Sequence, residues 1–375
     1  MLITGWVGSV WSEAIKNAFP VRLIGPFTGR LSLPAIIFWS LFTLTGLLFF
    51  ALQRAVRLSR KEELDRLIAQ STQLEETIRT QPPAHFLATF ADLYAQADRA
   101  ASAIFALSGT VQRDQVEAAA RHVLRIIAVL AQKFDDPSDG GLGEHEIVYA
   151  ANVMIYKPTP SIPPVDIPAI DERMLFRGDG VTVSKLKGVL DLVPTLSTTA
   201  ADPKATPDPS LRPFALGIPN RAKAERLRPG ECELRYRVLP GAPRAFCDRE
   251  ADIYENTNRI REWCERYGDF TDDVKDAVET YFETGPGANI GSFVSIPLFH
   301  PEDLKHEADP VGVLNIHSNA FNLLKGRSKA FRNFVAIAQP LQILLSKLLL
   351  QLPEIGDLAV EVKKLALAGP VDLET

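Results

Sequence analysis

The longest apolar stretch of the chain lies near its beginning, where no charged side chain occurs in the 23 residues between Arg30 and Arg54. A helix rises about 1.5 Å per residue, so this stretch can cross the roughly 30 Å hydrocarbon core of a bilayer. A buried globular helix seldom runs this long without a charge, and a cleaved signal peptide has a basic start and a shorter apolar region. The pattern therefore predicts one transmembrane helix at residues 34–53.

Basic residues flank this predicted span unequally. Four of them follow it within eight residues, whereas three are spread over the 30 residues before it. Lysine and arginine are favoured on the cytoplasmic side of a membrane. We therefore expect a single-pass protein of the cell inner membrane whose large C-terminal domain is cytoplasmic.

Two helical patterns with different spacing follow the span. Residues 61–78 place leucine and isoleucine near heptad spacing between charged residues, which is compatible with a coiled-coil stalk. Pro82 and Pro83 then interrupt the helix. Apolar residues next recur every three or four positions, which predicts helices at 86–104 and 111–134.

Beyond Gly143 the pattern changes to short β-rich runs bounded by glycine and proline. These runs predict strands at residues 146–156, 188–196, 233–239, 292–299 and 311–318. Helical spacing returns in three segments, at residues 252–267, 272–282 and 328–350. A proline-rich segment between the first and third strands predicts extended loops.

Composition narrows the function classes. The net charge of -5 gives no electrostatic attraction to nucleic acid. The three cysteines show no CxxC spacing, and the six histidines show no ligand spacing, so neither a disulfide framework nor a metal site is predicted. We find no catalytic motif and expect no enzyme activity and no cofactor.

Two segments of the C-terminal half carry a resemblance to a known family. Residues 292–298 read SFVSIPL, residues 310–316 read PVGVLNI, and a long apolar helix follows. They are similar to the "S-x-x-x-x-P-L" and "x-x-G-V-L-x-l" strands of GAF domains, which are small-molecule sensory modules. The resemblance implies a central antiparallel sheet with the first and last helices on one face and a ligand pocket, roofed by the middle helices, on the other.

With this resemblance the chain is predicted to be an α+β protein in five parts. An interfacial or flexible segment at 1–33 precedes the transmembrane helix at 34–53 and a helical stalk at 54–110. A GAF-like domain follows at 111–352, and a tail occupies 353–375. The domain departs from the family in the length of its proline-rich insertion near 157–220, and in a basic segment, 325–328, where an acidic residue is common before the last helix.

The candidate site follows from the implied fold. Alternation along the last strand places Asn315 and His317 on one face, where they suit a pocket wall, although a solvated strand end is an equal alternative. Asn258 and Arg259 suit a phosphate or carboxylate, and Trp263 suits ring stacking, with a plain surface helix as the alternative. The candidate ligand-binding residues are Arg235, Tyr254, Asn258, Arg259, Trp263, Ser295, Asn315 and His317.

These features predict a membrane-anchored cytoplasmic sensor that binds a small molecule, with a nucleotide as one option. Its helices would transmit the signal to a partner or to the membrane. The expected partners are the membrane, an unknown small molecule and a second copy of the chain through the stalk and terminal helices, but no nucleic acid. Two alternatives stay open, namely a nucleotide-triggered defence effector that perturbs the membrane and a dimerisation scaffold that binds no ligand.

Overall fold

The chain forms two compact units, Met1–Ile78 and Arg79–Thr375. The computed structural model describes residues 37, 40–58, 61, 68, 81–107, 112–135, 147–178, 180–223, 235–303, 305–326, 329–353 and 355–356. In the first unit, Ser40–Leu58 forms helix α1, which is long and apolar enough to cross a membrane and has none of its most apolar window buried. The predicted segment 1–33, the heptad-spaced stalk residues and most of the tail lie outside the described residues.

The second unit begins with two long helices, α2 (Phe86–Phe105) and α3 (Arg113–Asp135). The predicted helices at 86–104 and 111–134 are therefore confirmed. The sequence groups α2 with the stalk, whereas in the structure α2 belongs to the second unit and packs against α3. The core side of α3 is a continuous apolar stripe, because residues three or four apart share one face of a helix.

A seven-stranded sheet forms the middle of the second unit. Its strands are β1 (Tyr149–Pro158), β2 (Met174–Leu175), β3 (Gly188–Thr199), β4 (Ala215–Ile218), β5 (Asp252–Tyr254), β6 (Ser292–Leu298) and β7 (Gly312–Ser318). The spatial order is β2-β4-β3-β1-β7-β6-β5, and every pair is antiparallel except β2 with β4. The predicted α+β class is confirmed.

The remaining helices are shorter. They are α4 (Ile167–Arg173), α5 (Ala242–Asp248), α6 (Ile260–Tyr267), α7 (Asp272–Glu283), α8 (Lys329–Ile337) and α9 (Gln339–Leu349). Helix α9 packs against α2 and α3 on one face of the sheet, and α5 packs against β6 and β7. Helices α6 and α7 pack against each other.

The main core lies between the sheet and helices α2, α3, α8 and α9. At its centre Phe134 is fully buried, with its ring edge-on to Phe86 at 5.1 Å and to Phe334 at 5.4 Å between centroids. Strand β7 contributes Leu314 and Ile316 to this core. Buried apolar area of this kind is the main source of folding free energy, so this face stabilises the unit.

Three predicted elements are wrong in part. Residues 235–239 form no strand and make only two isolated bridges, from Tyr236 to Lys223 and to Gly268, although the sequence predicts a strand over 233–239. The predicted helix 252–267 starts instead as edge strand β5, continues through a short 3-10 helix at Thr257–Arg259 and becomes α-helical only at Ile260. The predicted helix 328–350 is divided at Ala338, because Pro340 lacks the amide hydrogen that would continue the first helix.

The proline-rich segment is more structured than the predicted extended loops. It contains α4 and β2, and β4 extends the sheet beyond β3. A buried carboxylate fixes it, because Asp191 accepts hydrogen bonds from Lys157 Nζ and Arg173 Nη2, both at 2.8 Å. Asp191 is only 3% exposed, and two cations offset the cost of burying its charge.

The connection from β7 to α8 has an unusual backbone. Asn322, Leu324 and Lys325 adopt left-handed φ angles of 60°, 53° and 57°. Asp135, at the end of α3, accepts a hydrogen bond from Leu324 N at 3.1 Å and another from the Tyr149 hydroxyl at 3.0 Å. Burial raises the pKa of the Asp135 carboxyl to about 6, and these two hydrogen bonds offset part of that rise.

Candidate functional site

A row of polar side chains crosses the sheet on the face opposite the main core. The register pairs Ser295 of β6 with Asn315 of β7, and Asn315 with Asn152 of β1. Paired residues of neighbouring strands project from the same face, so these side chains meet. The Ser295 hydroxyl donates to Asn315 Oδ1 at 2.7 Å, and Asn315 Nδ2 donates to Asn152 Oδ1 at 3.0 Å.

This row forms one side of a pocket of about 110 Å³. Aromatic side chains supply much of the remaining lining, and they are Phe176, Phe214, Tyr281, Phe282 and Phe293. The ring of Tyr281 lies edge-on to Phe176 at 5.2 Å and to Phe282 at 5.0 Å between centroids. A few directed polar groups within an apolar shell are typical of small-molecule sites.

His317 is the titratable imidazole of the pocket. It pairs with Phe293 of β6, and it lies two residues beyond Asn315 on the same face of β7. Burial lowers the pKa of its imidazole, and the charge of the Asp208 carboxylate has a smaller effect in the opposite direction. Because the ordinary pKa is already below 7, the ring is neutral at pH 7 and presents one donor and one acceptor.

The pocket roof is held by a second apolar cluster and by charges on its outer surface. Trp263 is 7% exposed and packs with Tyr254, Val278 and Phe293 in this cluster. On the outside, Arg261 of α6 reaches α7, where its Nη1 lies 2.5 Å from carboxylate oxygens of both Asp276 and Glu279. These contacts fix α6 and α7 as one layer.

The structure brings together three of the eight residues that the sequence proposes for ligand binding. Ser295, Asn315 and His317 line the pocket. Tyr254 and Trp263 lie behind its wall in the roof cluster and contribute packing.

The other three predicted site residues do not line this pocket. Asn258 and Arg259 are exposed in the short 3-10 helix, Thr257–Arg259, that precedes α6. Arg235 donates from Nη1 to the carbonyl oxygens of Glu265 and Gly268, at 3.3 and 3.1 Å, and so secures the end of that helix. A continuous helix from residue 252 would place Asn258 and Arg259 near Tyr254 and Trp263, but the structure divides this segment into a strand, a 3-10 helix and an α-helix.

Sequence reasoning missed Asn152 and most of the aromatic lining. Strand β1 is buried on both faces along nearly its whole length, so its alternation is not visible in the hydrophobic pattern. One signal was present, because Asn152 is a single amide within the otherwise apolar and aromatic run 149–156. A buried amide needs hydrogen-bond partners, which made it a candidate for the polar row.

The described residues offer little for metal or thiol chemistry. No group of three or more His, Cys, Asp or Glu side chains within the described ranges could hold a metal ion. Burial raises the pKa of the Cys247 and Cys264 thiols to about 12, so neither is a ready nucleophile at pH 7. Cys232 lies outside the described residues.

Comparison with known protein families, with curated proteins and with solved structures returned no match for this chain.

Proposed function

We propose that this chain is a membrane-anchored sensor in which α1 crosses the inner membrane once and the second unit is a cytoplasmic GAF-type domain that binds a small molecule. One observation carries the proposal, namely the pocket in which Ser295, Asn315 and Asn152 form a polar row within an aromatic shell. Buried polar groups cost free energy unless they form hydrogen bonds. Donors and acceptors that face a pocket can form them with a ligand.

The layered architecture supports the GAF-type assignment. The central strands are antiparallel, the first and last helices of the unit pack together on one face, and shorter helices lie over the other. This is the arrangement that the resemblance of 292–298 and 310–316 implies. The length and apolar character of α1, together with the basic residues at its end, support the anchor and the cytoplasmic location.

Signal transmission would act through helix packing. The pocket strands β1, β6 and β7 also carry the side chains that pack on α3 and α9. A ligand that favours one arrangement of the pocket wall would favour one packing of these helices, because it shifts the population toward the state that it binds better. The output would be a partner, the membrane, or a second copy of the chain.

Ligand binding is tested with the full chain in detergent micelles. We expect at least one member of a metabolite panel that includes cyclic nucleotides to raise the melting temperature, and Asn315→Leu to abolish that rise. Asn258→Leu is the matched control, because it makes the same substitution at an exposed position. If no compound stabilises the protein, the dimerisation scaffold is favoured instead.

The anchor is tested by fractionating cells that express the full chain. The protein should stay in the membrane pellet after an alkaline wash, and a cysteine introduced after α1 should be shielded from impermeant reagents added to intact cells. Recovery in the soluble fraction would contradict the anchor. Leakage of a dye into cells on expression would favour the membrane-perturbing effector over the sensor.

A further inference from the structure

The pocket lining carries no full charge. Among the described residues that line it, there is no lysine, arginine, aspartate or glutamate, and His317 is neutral at pH 7. A charged ligand would have to lose its hydration without gaining a counter-charge, which costs several kcal/mol. The electrostatics of the site therefore favour an uncharged ligand.

The pocket is partly open to solvent, and the space within its walls suits about one ring. Its volume is about 110 Å³. An engineered apolar cavity of about 150 Å³ holds one benzene molecule. A cyclic nucleotide, with its base, ribose and phosphate, is larger than this space and also carries a charge that the lining does not match.

The polar row can form further hydrogen bonds at its Asn152 end. Ser295 donates to Asn315, and Asn315 donates to Asn152 Oδ1. The Nδ2 group of Asn152 therefore has its hydrogens available, and within the described part of the chain no residue forms a hydrogen bond with it or with the His317 ring. Asn152 lines the pocket and is 6% exposed, so a ligand acceptor could replace water as the partner of this donor.

The aromatic lining complements a flat ligand. Phe282 and Phe293 lie with their planes 16° apart and their centroids 6.0 Å apart, and Tyr281 stands edge-on beside Phe282. Offset and edge-on contacts are the arrangements that aromatic rings favour. A planar ring could therefore pack among these side chains while its polar edge faces the row.

We infer that the pocket selects an uncharged single-ring molecule bearing a carbonyl and an adjacent N–H, of the aromatic carboxamide or lactam class. The carbonyl accepts from Asn152 Nδ2, the N–H donates to the neutral His317 ring, and the ring packs on the aromatic lining. This inference rests on the sensor function proposed above and adds the chemical class of its ligand.

The test is calorimetric titration of the full chain in detergent micelles with matched probes. Nicotinamide and nicotinate share one ring and differ in charge, uracil supplies a neutral lactam, and cyclic GMP supplies a charged nucleotide. We expect a neutral probe to bind at least about tenfold more tightly than nicotinate, since one buried charge is enough for such a ratio. Cyclic GMP should not bind.

Two variants locate the binding. Asn152→Ala and His317→Gln should each weaken binding of the neutral probe by about tenfold, the effect of one lost hydrogen bond, while Asn220→Ala, an exposed asparagine outside the pocket, leaves it unchanged. Circular dichroism shows whether each variant is folded. If Asn152→Ala does not fold, His317→Gln alone tests the location of the binding.

The outcomes separate the two proposals. Tighter binding of nicotinate or cyclic GMP than of the neutral probes would overturn the ligand class and leave the sensor function standing. Binding of a neutral probe that neither Asn152→Ala nor His317→Gln weakens would also overturn the ligand class. Absence of binding by every probe and by the metabolite panel would overturn both.

Discussion

Asp135 provides a quantitative test of how burial acts on the stability of this fold. Its carboxyl accepts hydrogen bonds from Leu324 N and Tyr149, close to Lys325, at the left-handed connection before α8. Replacing it by asparagine keeps an oxygen that can accept both bonds but removes the charge. Asp135→Asn should therefore change how the free energy of unfolding depends on pH.

The magnitude follows from the two pKa values. Burial raises the pKa of Asp135 from 3.8 to about 6. Between these values the folded state keeps a proton that the unfolded state has lost, so the stability of the native chain falls as pH rises through this window. A difference of about two pKa units corresponds to about 3 kcal/mol. Below pH 3.8 and above about 6 the contribution is constant.

The assay is urea unfolding of the full chain in detergent micelles, followed by circular dichroism at several values between pH 3.5 and 8. At each pH we compare the free energy of unfolding of Asp135→Asn with that of the native chain. The difference should shift by about 3 kcal/mol in favour of the variant as the pH rises from 3.8 to about 6. Asp98→Asn makes the same change of charge at an exposed position on α2. Its free energy of unfolding should stay within about 0.5 kcal/mol of the native value. If the difference in unfolding free energy between Asp135→Asn and the native chain does not vary with pH, the reasoning is refuted.

Three further predictions concern packing and reactivity. Phe134→Ala should lower the free energy of unfolding by about 3–5 kcal/mol in urea titrations, because it empties the centre of the main core. Gly241→Ala should lower the melting temperature and weaken ligand binding, because φ is 89° and a Cβ would lie 2.5 Å from the ring of Phe293, which lines the pocket. Cys247 and Cys264 should react slowly with iodoacetamide at pH 8, as measured for each site by mass spectrometry, because burial raises both pKa values to about 12.

Each of these predictions has a control in the same chain. Leu87→Ala, at an exposed position of α2, should cost far less than Phe134→Ala. Gly178→Ala places its Cβ no closer than 3.9 Å to the nearest side chain and should leave binding unchanged. Unfolding in urea should accelerate alkylation of both thiols, and equal rates before and after unfolding would contradict the burial argument.

Long periodic helices and the strands of the C-terminal motif could be predicted from the sequence. Helix α3 has an apolar stripe that no strand could reproduce, and β6 and β7 begin and end close to the predicted residues. The face assignment of Asn315 and His317 follows from alternation alone. These features depend on local pattern, which the sequence displays directly.

The other elements depend on contacts between distant residues. Strand β5 has only three residues and exists because it pairs with β6, so its sequence reads as the start of the following helix. Asn152 becomes part of the site only through pairing with a strand more than 160 residues away. Tertiary pairing of this kind overrides local propensity, and no periodicity in the sequence reveals it.

The polar row also bears on how the sheet is assembled. A slip of β7 by one residue would turn Asn315 and His317 toward α3 and α9 and would move Leu314 and Ile316 out of the main core. The side chains proposed to hold the ligand therefore also penalise misaligned pairing of β7. Substitutions that retune recognition at these positions should consequently be screened for the yield of correctly folded protein as well as for affinity.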